Sequence, residues 1–215
     1  MQVTHQIGDD FLAAYAAGQL PEAFDLVVAS HLSLCPPARE RYDALEALGG
    51  TVLESAPEAE MSAGSLEATL ARIAGGASPQ PELARTKTCD VLPAPLRDYV
   101  GGSIESVKWR PVGMGVKQAI LPMSDGASAR LLYIPGGAEM PDHGHGGLEM
   151  TLVLKGAFLD GADRFGRGDV EIGDEDLVHH PVAEAGEPCI CLAATDAPLK
   201  FSGWLPRLVQ PFLKI

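Results

Sequence analysis

The first 75 residues carry apolar side chains at the spacing of amphipathic helices. The first stripe begins at Phe11, behind Asp9 and Asp10, whose carboxylates suit the positive end of a helix dipole. The second stripe ends at Pro36-Pro37, because neither proline donates the hydrogen bond that a continuing helix requires. Gly49-Gly50 is expected to stop the third helix. The pattern predicts four helices, at about 9–17, 21–35, 39–48 and 65–73.

Beyond residue 95 the pattern changes to short runs rich in β-branched residues and bounded by turns. Many short strands at this spacing indicate a sandwich or barrel rather than alternating strands and helices. The stretch between the two parts is rich in Gly, Pro and small polar residues, which is linker composition. We therefore expect an α+β chain of two domains, with helices at 1–75, a linker at 76–95 and a β-barrel or jelly roll at 96–215. The strands are expected at 106–110, 115–121, 129–134, 149–157, 169–172, 189–193 and 199–203.

The formal net charge of −13 and the pI near 4.8 argue against direct binding to nucleic acid or to anionic membranes. No uncharged apolar run is long enough to span a bilayer, and the first residues lack the features of a signal peptide. We expect a cytoplasmic protein with no membrane partner. Its four cysteines are then thiols, metal ligands or redox sensors rather than structural disulfides.

Charge is divided unevenly between the two parts. Residues 1–75 hold eleven acidic side chains and three arginines, a net charge of −8. Such a helical module is complementary to a basic protein surface. An acidic face that only keeps the protein soluble would have the same composition.

A metal-binding motif is the most informative feature of the β part. His143 and His145 are two positions apart, and alternate residues of a strand point the same way, so both imidazoles can face one point. Glu149 follows after the flexible Gly146-Gly147 and can reach the same ion. Two imidazoles and a carboxylate form a mixed nitrogen and oxygen set that suits zinc, iron, manganese or nickel.

This spacing resembles the first motif of the cupin family. The fixed positions of that motif are met by Gly137, His143, His145, Glu149 and Gly156, which are separated by five, one, three and six residues. The second cupin motif would begin at Gly168 and place its histidine at His179. The resemblance implies a fourth ligand there, and the spacing favours His179 over His180, which would point to the opposite face of a strand.

Cys189 and Cys191 flank Ile190 on a predicted strand, so they share one face. Neighbours two apart on a strand are poorly placed for an unstrained disulfide. They either line the barrel as small apolar groups or form an oxidation-sensing pair near the metal.

The helical part carries a second candidate metal site. His31 and Cys35 lie four apart on one helix face, which is usable ligand spacing. The segment from His31 to Ala38 resembles the zinc-binding anti-sigma signature of His, three residues, Cys, two residues, Cys, but Ala38 replaces the last cysteine. His5 is the candidate for the N-terminal histidine of such sites. A zinc site of His5, His31 and Cys35 would therefore be incomplete.

Nearly the whole chain resembles the ChrR family of cupin-bearing anti-sigma factors. The segments AAYAAG, ASHLSLC, PDHGH, CICLAATDAPL and VQPF carry the resemblance. It implies a four-helix anti-sigma domain that holds a group IV (extracytoplasmic function, ECF) sigma factor away from RNA polymerase. It also implies a cupin that responds to singlet oxygen or related oxidants, with zinc the favoured ion on His143, His145, Glu149 and His179.

Two functions follow from these patterns. The first is a non-enzymatic regulator that sequesters an ECF sigma factor and senses oxidants through its cupin. The alternative is a metal-dependent enzyme similar to the cupin dioxygenases, with the helices serving for oligomerisation, because a His₃Glu site with an open position can bind O₂ or a substrate.

Overall fold

A computed structural model describes residues 2–76, 91–124 and 126–201. Its N-terminal part is helical, as predicted, and a fifth helix precedes the strands. No helix in these ranges is both long enough and apolar enough to cross a membrane. The helices are α1 (Asp9–Ala16), α2 (Glu22–Leu34), α3 (Pro36–Glu54), α4 (Ser65–Ala74) and α5 (Ala94–Val100).

The third helix is longer than the sequence indicated at both ends. It begins at Pro36 rather than near Arg39, because its first residues need no intrahelical donor and proline fits there. It also continues through Gly49 and Gly50 to Glu54, so the two glycines do not end it. Cys35 lies between α2 and α3 with extended backbone angles, which separates the two helices.

Between residues 110 and 201 the described chain forms twelve strands that pair antiparallel, and the predicted α+β class is confirmed. One sheet has six strands and two smaller sheets have three each; strands in hydrogen-bonding order are β1-β2-β3-β11-β5-β8, β10-β6-β7 and β12-β4-β9. The strands are β1 (Arg110–Gly113), β2 (Val116–Ile120), β3 (Ser128–Ile134), β4 (His143–His145), β5 (Glu149–Lys155), β6 (Ala157–Asp160), β7 (Asp163–Gly166), β8 (Val170–Gly173), β9 (Val178–His179), β10 (Val182–Ala183), β11 (Cys189–Thr195) and β12 (Leu199–Phe201).

Two strand predictions need correction. The expected strand at 106–110 is a 3₁₀ turn followed by extended chain, and pairing with β2 begins only at Arg110. The expected strand at 149–157 is divided at Gly156, which has a φ of 69°. A Cβ atom on Gly156 would lie 2.6 Å from the carbonyl oxygen of Pro188, so only glycine allows this bend. The bend sends β6 into a hairpin with β7 that the sequence pattern did not reveal.

Strand β11 is buried along its whole length because both of its faces are covered. Ile190, Leu192 and Ala194 face a core that also contains residues of α2. Cys189 and Cys191 face the opposite way, into the interior enclosed by the strands. Helix α2 contacts β3, β5 and β11, so the helices and the large sheet share one hydrophobic core.

The last residues of the predicted linker, from residue 91 onward, pack against the rest of the protein. Most of the predicted linker, residues 77–90, lies outside them, and so does Cys89. Leu92 is almost fully buried in the shared core, and α5 starts at Ala94, before the predicted end of the linker. Pro93 and Pro95 start the helix rather than disrupt it, since the first turn tolerates proline.

Hydrogen bonds also join the chain's first residues to the barrel. The buried carboxylate of Asp169 accepts from the backbone nitrogens of Thr4, at 2.6 Å, and His5, at 2.8 Å. The backbone nitrogen of Val170 donates to the carbonyl of His5. A separate hydrogen bond joins two helices, since the carboxylate of Glu22 in α2 accepts from the hydroxyl of Tyr99 in α5. The N-terminal segment is thus fixed to the start of β8.

Candidate metal centre

Three strands bring the four predicted cupin ligands together. His143 and His145 lie on β4, Glu149 begins β5, and His179 lies on β9 directly opposite His143. One nitrogen or oxygen atom of each side chain lies within 4.8 Å of the others. The three histidines are buried, and Glu149 is largely so.

The imidazoles of His143 and His179 face each other, and their other contacts indicate which ring nitrogen carries the proton. Their Nε2 atoms are 3.0 Å apart. The Nδ1 atom of His143 lies 2.8 Å from the carbonyl oxygen of Pro141, which only accepts, so this nitrogen carries the proton. The Nδ1 atom of His179 lies 3.3 Å from carboxylate oxygens of both Asp160 and Glu171, which likewise favours a proton there. With both rings neutral, the two Nε2 lone pairs would face one another, and a cation between them would relieve the repulsion; with His179 protonated, its Nε2 would donate to the Nε2 atom of His143.

The remaining two ligands also fit a metal ion. Neither ring nitrogen of the buried His145 has a hydrogen-bond partner within the described residues. Its Nδ1 atom lies 3.5 Å from a carboxylate oxygen of Glu149. Donor atoms about 2.0–2.1 Å from a tetrahedral ion lie about 3.3–3.4 Å apart, close to both observed separations. The group could therefore hold a divalent metal.

The pKa shifts favour the neutral form of His143 and the ionised form of Glu149, and they favour positive charge at His179, whether from a proton or from a metal ion. Burial lowers the pKa of His143, which favours the neutral imidazole. Burial would raise the pKa of Glu149, but contact with His145 and the charges of the other two histidines outweigh it and lower the pKa. Burial would lower the pKa of His179, but Glu171 and Asp160 outweigh it and raise the pKa. The site is prepared for a cation.

Sequence reasoning missed the carboxylates behind His179. Asp160 ends β6 and Glu171 lies in β8, and with His179 they form a second close group of possible ligands. Burial raises the pKa of Glu171. A carboxylate behind a ligating histidine fixes its tautomer and orientation. In the sequence, the feature that could have pointed to Glu171 is a single acidic residue between the apolar residues of the strand Val170–Gly173, where it is buried.

A cavity of about 100 Å³ opens beside three of the four candidate ligands, His143, Glu149 and His179. Most of its wall is apolar, formed by residues such as Val116, Leu132 and Phe158. Arg130 is a charged residue of this wall that the sequence analysis did not single out. The interior of the barrel therefore has room for a small molecule next to the possible metal position.

Three residues flanking the site follow the sequence expectations in part. His180 points away from the cavity group: it is partly exposed and its Nδ1 atom lies 2.7 Å from Asp142. Cys189 and Cys191 share the interior face with their sulfur atoms 3.5 Å apart, as free thiols. Cys191 lines the cavity, and its contact with Cys189 raises the pKa of its thiol, as does burial.

The structure does not bring the N-terminal candidates together. His5 stacks on Phe165 of β7, with ring centroids 4.3 Å apart. His31 uses both ring nitrogens: Nδ1 lies 2.9 Å from the carbonyl oxygen of Gly168, and Nε2 accepts from the backbone nitrogen of Ile7. Cys35 is buried. Among the described residues, no close group of three or more possible ligands includes any of these side chains.

Comparisons with known proteins establish the family. The chain is 55% identical to the anti-sigma-E factor ChrR of Cereibacter sphaeroides over 215 residues, the full length of both. The chain belongs to the ChrR family. Residues 99–198 match the family described as the ChrR cupin-like domain. The crystal structure of Rhodobacter sphaeroides SigE in complex with the anti-sigma ChrR superposes with a TM-score of 0.81 at 53% identity, covering 91% of this chain and all of that one. The resemblance to ChrR and the cupin architecture of the barrel are confirmed.

Proposed function

We propose that this protein is an anti-sigma factor whose helical region binds an ECF sigma factor and keeps it from RNA polymerase. The full-length identity of 55% with an anti-sigma factor carries the proposal. The similar solved chain was crystallised with a sigma factor, which supports the same class of partner here. Its place of action would be the cytoplasm, where RNA polymerase works.

The end of α3 and the whole of α4 offer a surface for such a partner. Nine of the ten residues of α4 are exposed, and the tenth is half-buried. The apolar stripe of α4 is exposed, with 65% of Leu66, 54% of Leu70 and 70% of Ile73 accessible. An exposed apolar stripe of this kind marks an interaction site. Val52 and Leu53, at the end of α3, are equally exposed.

The charge of this region indicates the nature of the partner. Residues 1–75 carry a net charge of −8, although within α4 itself Glu67 is balanced by Arg72. Sigma factors need basic surfaces to contact promoter DNA. An acidic helical region that carries an exposed apolar stripe complements such a surface, which favours a protein partner over nucleic acid.

Co-purification with the sigma factor tests this proposal. Replacing Leu66 and Ile73 together by Ser should weaken the complex at least tenfold, because two apolar contacts are lost. Met114, on the turn between β1 and β2, is an exposed apolar residue of the barrel, and Met114→Gln should leave binding unchanged. Equal binding by both variants would count against a docking surface on α4.

We further propose that zinc binds at His143, His145, Glu149 and His179, and that this cupin relieves inhibition in response to singlet oxygen or related oxidants. When bound, the ion supplies a positive centre that crosslinks β4, β5 and β9. Two observations support a metal here: neither nitrogen of His145 has a hydrogen-bond partner among the described residues, and the Nε2 atoms of His143 and His179 lie only 3.0 Å apart. Iron, manganese and nickel suit the same donor set.

The contacts between the barrel and the helices give oxidation a physical route to the helices. Glu171 lies against His179, and two residues earlier in the chain Asp169 holds the backbone of Thr4 and His5. A displacement of His179 would therefore disturb the start of β8, against which α2 and the N-terminal segment pack. On this view residues 1–75 bind the partner, residues 96–215 sense the oxidant, and residues 76–95 connect them.

Transcription from a sigma-dependent promoter tests the sensing role. In cells that carry the intact protein, singlet oxygen should increase transcription from this promoter. In cells that carry the Glu149→Ala variant, transcription should stay repressed. A His180→Ala variant should respond like the intact protein, since His180 lies outside the ligand group. A Glu149→Ala variant with an unchanged response would contradict metal-dependent sensing.

The alternative is an enzyme similar to the cupin dioxygenases, and the cavity beside the ligand group favours it. It predicts oxygen uptake by the metal-loaded protein in the presence of a small organic substrate. A sigma-factor complex without any such turnover would support the regulator.

A further inference from the structure

Arg130 is a buried cation without a carboxylate partner among the described residues. Only 8% of the residue is exposed, on strand β3. Its guanidinium makes two long contacts with neutral groups, 3.4 Å to the side-chain oxygen of Gln118 and 3.2 Å to the hydroxyl of Ser128. Within the described part of the chain it forms no ion pair with a carboxylate. Most of its five donors are therefore unused, and burying an unpaired charge is costly.

The cavity gives this cation a place to meet a ligand. Arg130 lines the same space of about 100 Å³ as His143, Glu149 and His179. The register places Ala193 of β11 opposite Arg130, and Thr151 of β5 opposite Ala193. These small side chains line the floor of the cavity next to the guanidinium. Because Ala193 and Thr151 have small side chains, they leave space for a ligand next to the guanidinium.

The charge balance of the site strengthens the case. Glu149 attracts the guanidinium and partly offsets the lowering of the pKa of Arg130 by burial. A divalent metal on the four ligands would use the charge of Glu149, and the cavity would then hold two positive centres. With the metal bound, less negative charge would remain near Arg130 to offset the charge of its guanidinium.

We propose that the cavity is a binding site for a small organic monocarboxylate, with the carboxylate on Arg130 and the apolar part against Val116, Leu132 and Phe158. Arginine pairs with carboxylates through two parallel hydrogen bonds, which neutral ligands cannot match. A cavity of about 150 Å³ holds benzene, so this one takes a ligand of about four to six non-hydrogen atoms. The inference is independent of sigma-factor binding.

Butyrate is the probe that tests the site, because it combines a carboxylate with a short apolar chain. Calorimetric titration of the full-length protein, both metal-free and zinc-loaded, should show saturable binding at constant ionic strength. Butyramide has the same shape without the charge and should bind at least tenfold more weakly. No saturable butyrate binding in either form, or equal binding of butyramide, would overturn the proposal.

Two variants assign the binding to Arg130. Arg130→Gln should lower butyrate affinity at least tenfold, while Arg110→Gln, a matched change at an exposed arginine on β1, should not. Ala193→Leu keeps the arginine but fills the cavity floor, and it should also abolish binding. Butyrate affinity unchanged in a folded Arg130→Gln or Ala193→Leu variant would place any binding elsewhere.

Discussion

The Nδ1 atom of His31, in the middle of the helical region, lies 2.9 Å from the carbonyl oxygen of Gly168, at the start of a barrel strand. The carbonyl accepts the Nδ1 proton, so the Nε2 lone pair is free to accept from the backbone nitrogen of Ile7. One neutral imidazole thereby joins α2, the N-terminal segment and β8. A second proton would place two N–H groups against each other at Ile7.

This arrangement predicts that the contact weakens in acid. Burial lowers the pKa of His31, with the charge of Arg41 acting in the same direction. Below a pH of about 6.5 the unfolded chain therefore binds a proton that the folded chain does not, and stability falls as the pH falls. The slope from this one group is at most about 1.4 kcal/mol per pH unit.

Urea unfolding between pH 7.5 and 5 measures the effect. A His31→Gln variant should lose less stability over this range than the unmodified protein, although it is less stable at neutral pH. His180→Gln removes an exposed histidine whose pKa is raised by Asp142, and it should not flatten the profile in the same way. Parallel profiles for the unmodified protein and His31→Gln would contradict a neutral, buried His31.

Metal content should depend on the four cupin ligands. His143→Ala, Glu149→Ala and His179→Ala each remove a donor atom. Replacing a residue that only supports a ligand typically lowers metal affinity about 10–100-fold, and we expect each of these three variants to lose more than that. His180→Ala should change it little because its ring faces Asp142 and Glu139. Elemental analysis of the purified variants checks this. Full metal content in His179→Ala would remove that residue from the ligand set.

Glu171 should tune the metal without binding it. Glu171→Gln retains the shape but weakens the interaction with the Nδ1 proton of His179, and we expect about a tenfold loss of metal affinity. Glu184→Gln is the matched control, since Glu184 pairs with Arg164 on the surface. Competition with a chelator of known affinity measures both. Equal affinities would show that His179 needs no support from Glu171.

The N-terminal candidates allow a gain-of-function test. A cysteine at Ala38, which is buried in the first turns of α3, would restore the thiolate that zinc sites of this pattern use. In a His143→Ala background, where the cupin site is impaired, Ala38→Cys should raise zinc affinity. Ala44→Cys, on an exposed position of the same helix, should not. To bind, His31 must give up the hydrogen bond from Ile7, so the gain should be modest.

The division of tasks can be tested with a fragment of residues 1–85. Co-produced with the sigma factor, it should still form a complex and should ignore oxidants. Alone it should unfold at a lower temperature than the full chain, because Phe24 and Val28 of α2 belong to a core shared with the sheet. A free fragment as stable as the full chain would show that the shared core contributes little.

Three members of the possible metal group could be predicted from the sequence because they lie close together in the chain, whereas His179, 30 positions after Glu149, followed from the resemblance to the second cupin motif. His143, His145 and Glu149 span seven positions, and strand alternation is enough to aim them at one point. Arg130 and Glu171 were missed because their position depends on the order of strands in the sheet. No local pattern encodes that order.

The shared core was hidden for a related reason. The strand Cys189–Thr195 is an unbroken run of small and apolar residues, which is typical of a strand covered on both faces. Its covering layer, α2, is more than 150 positions away in the chain. The change in composition near residue 76 therefore marks a break in pattern rather than a break in packing.

Burial of β11 on both faces has a consequence for how the molecule opens. Its backbone is hydrogen-bonded to β3 on one edge and to β5 on the other, so solvent reaches its amides only when helix and barrel separate together. Regions protected in this way open at close to the free energy of global unfolding. The metal cavity and the helical layer thus belong to one cooperative unit, and a disturbance on either side of β11 alters the stability of both.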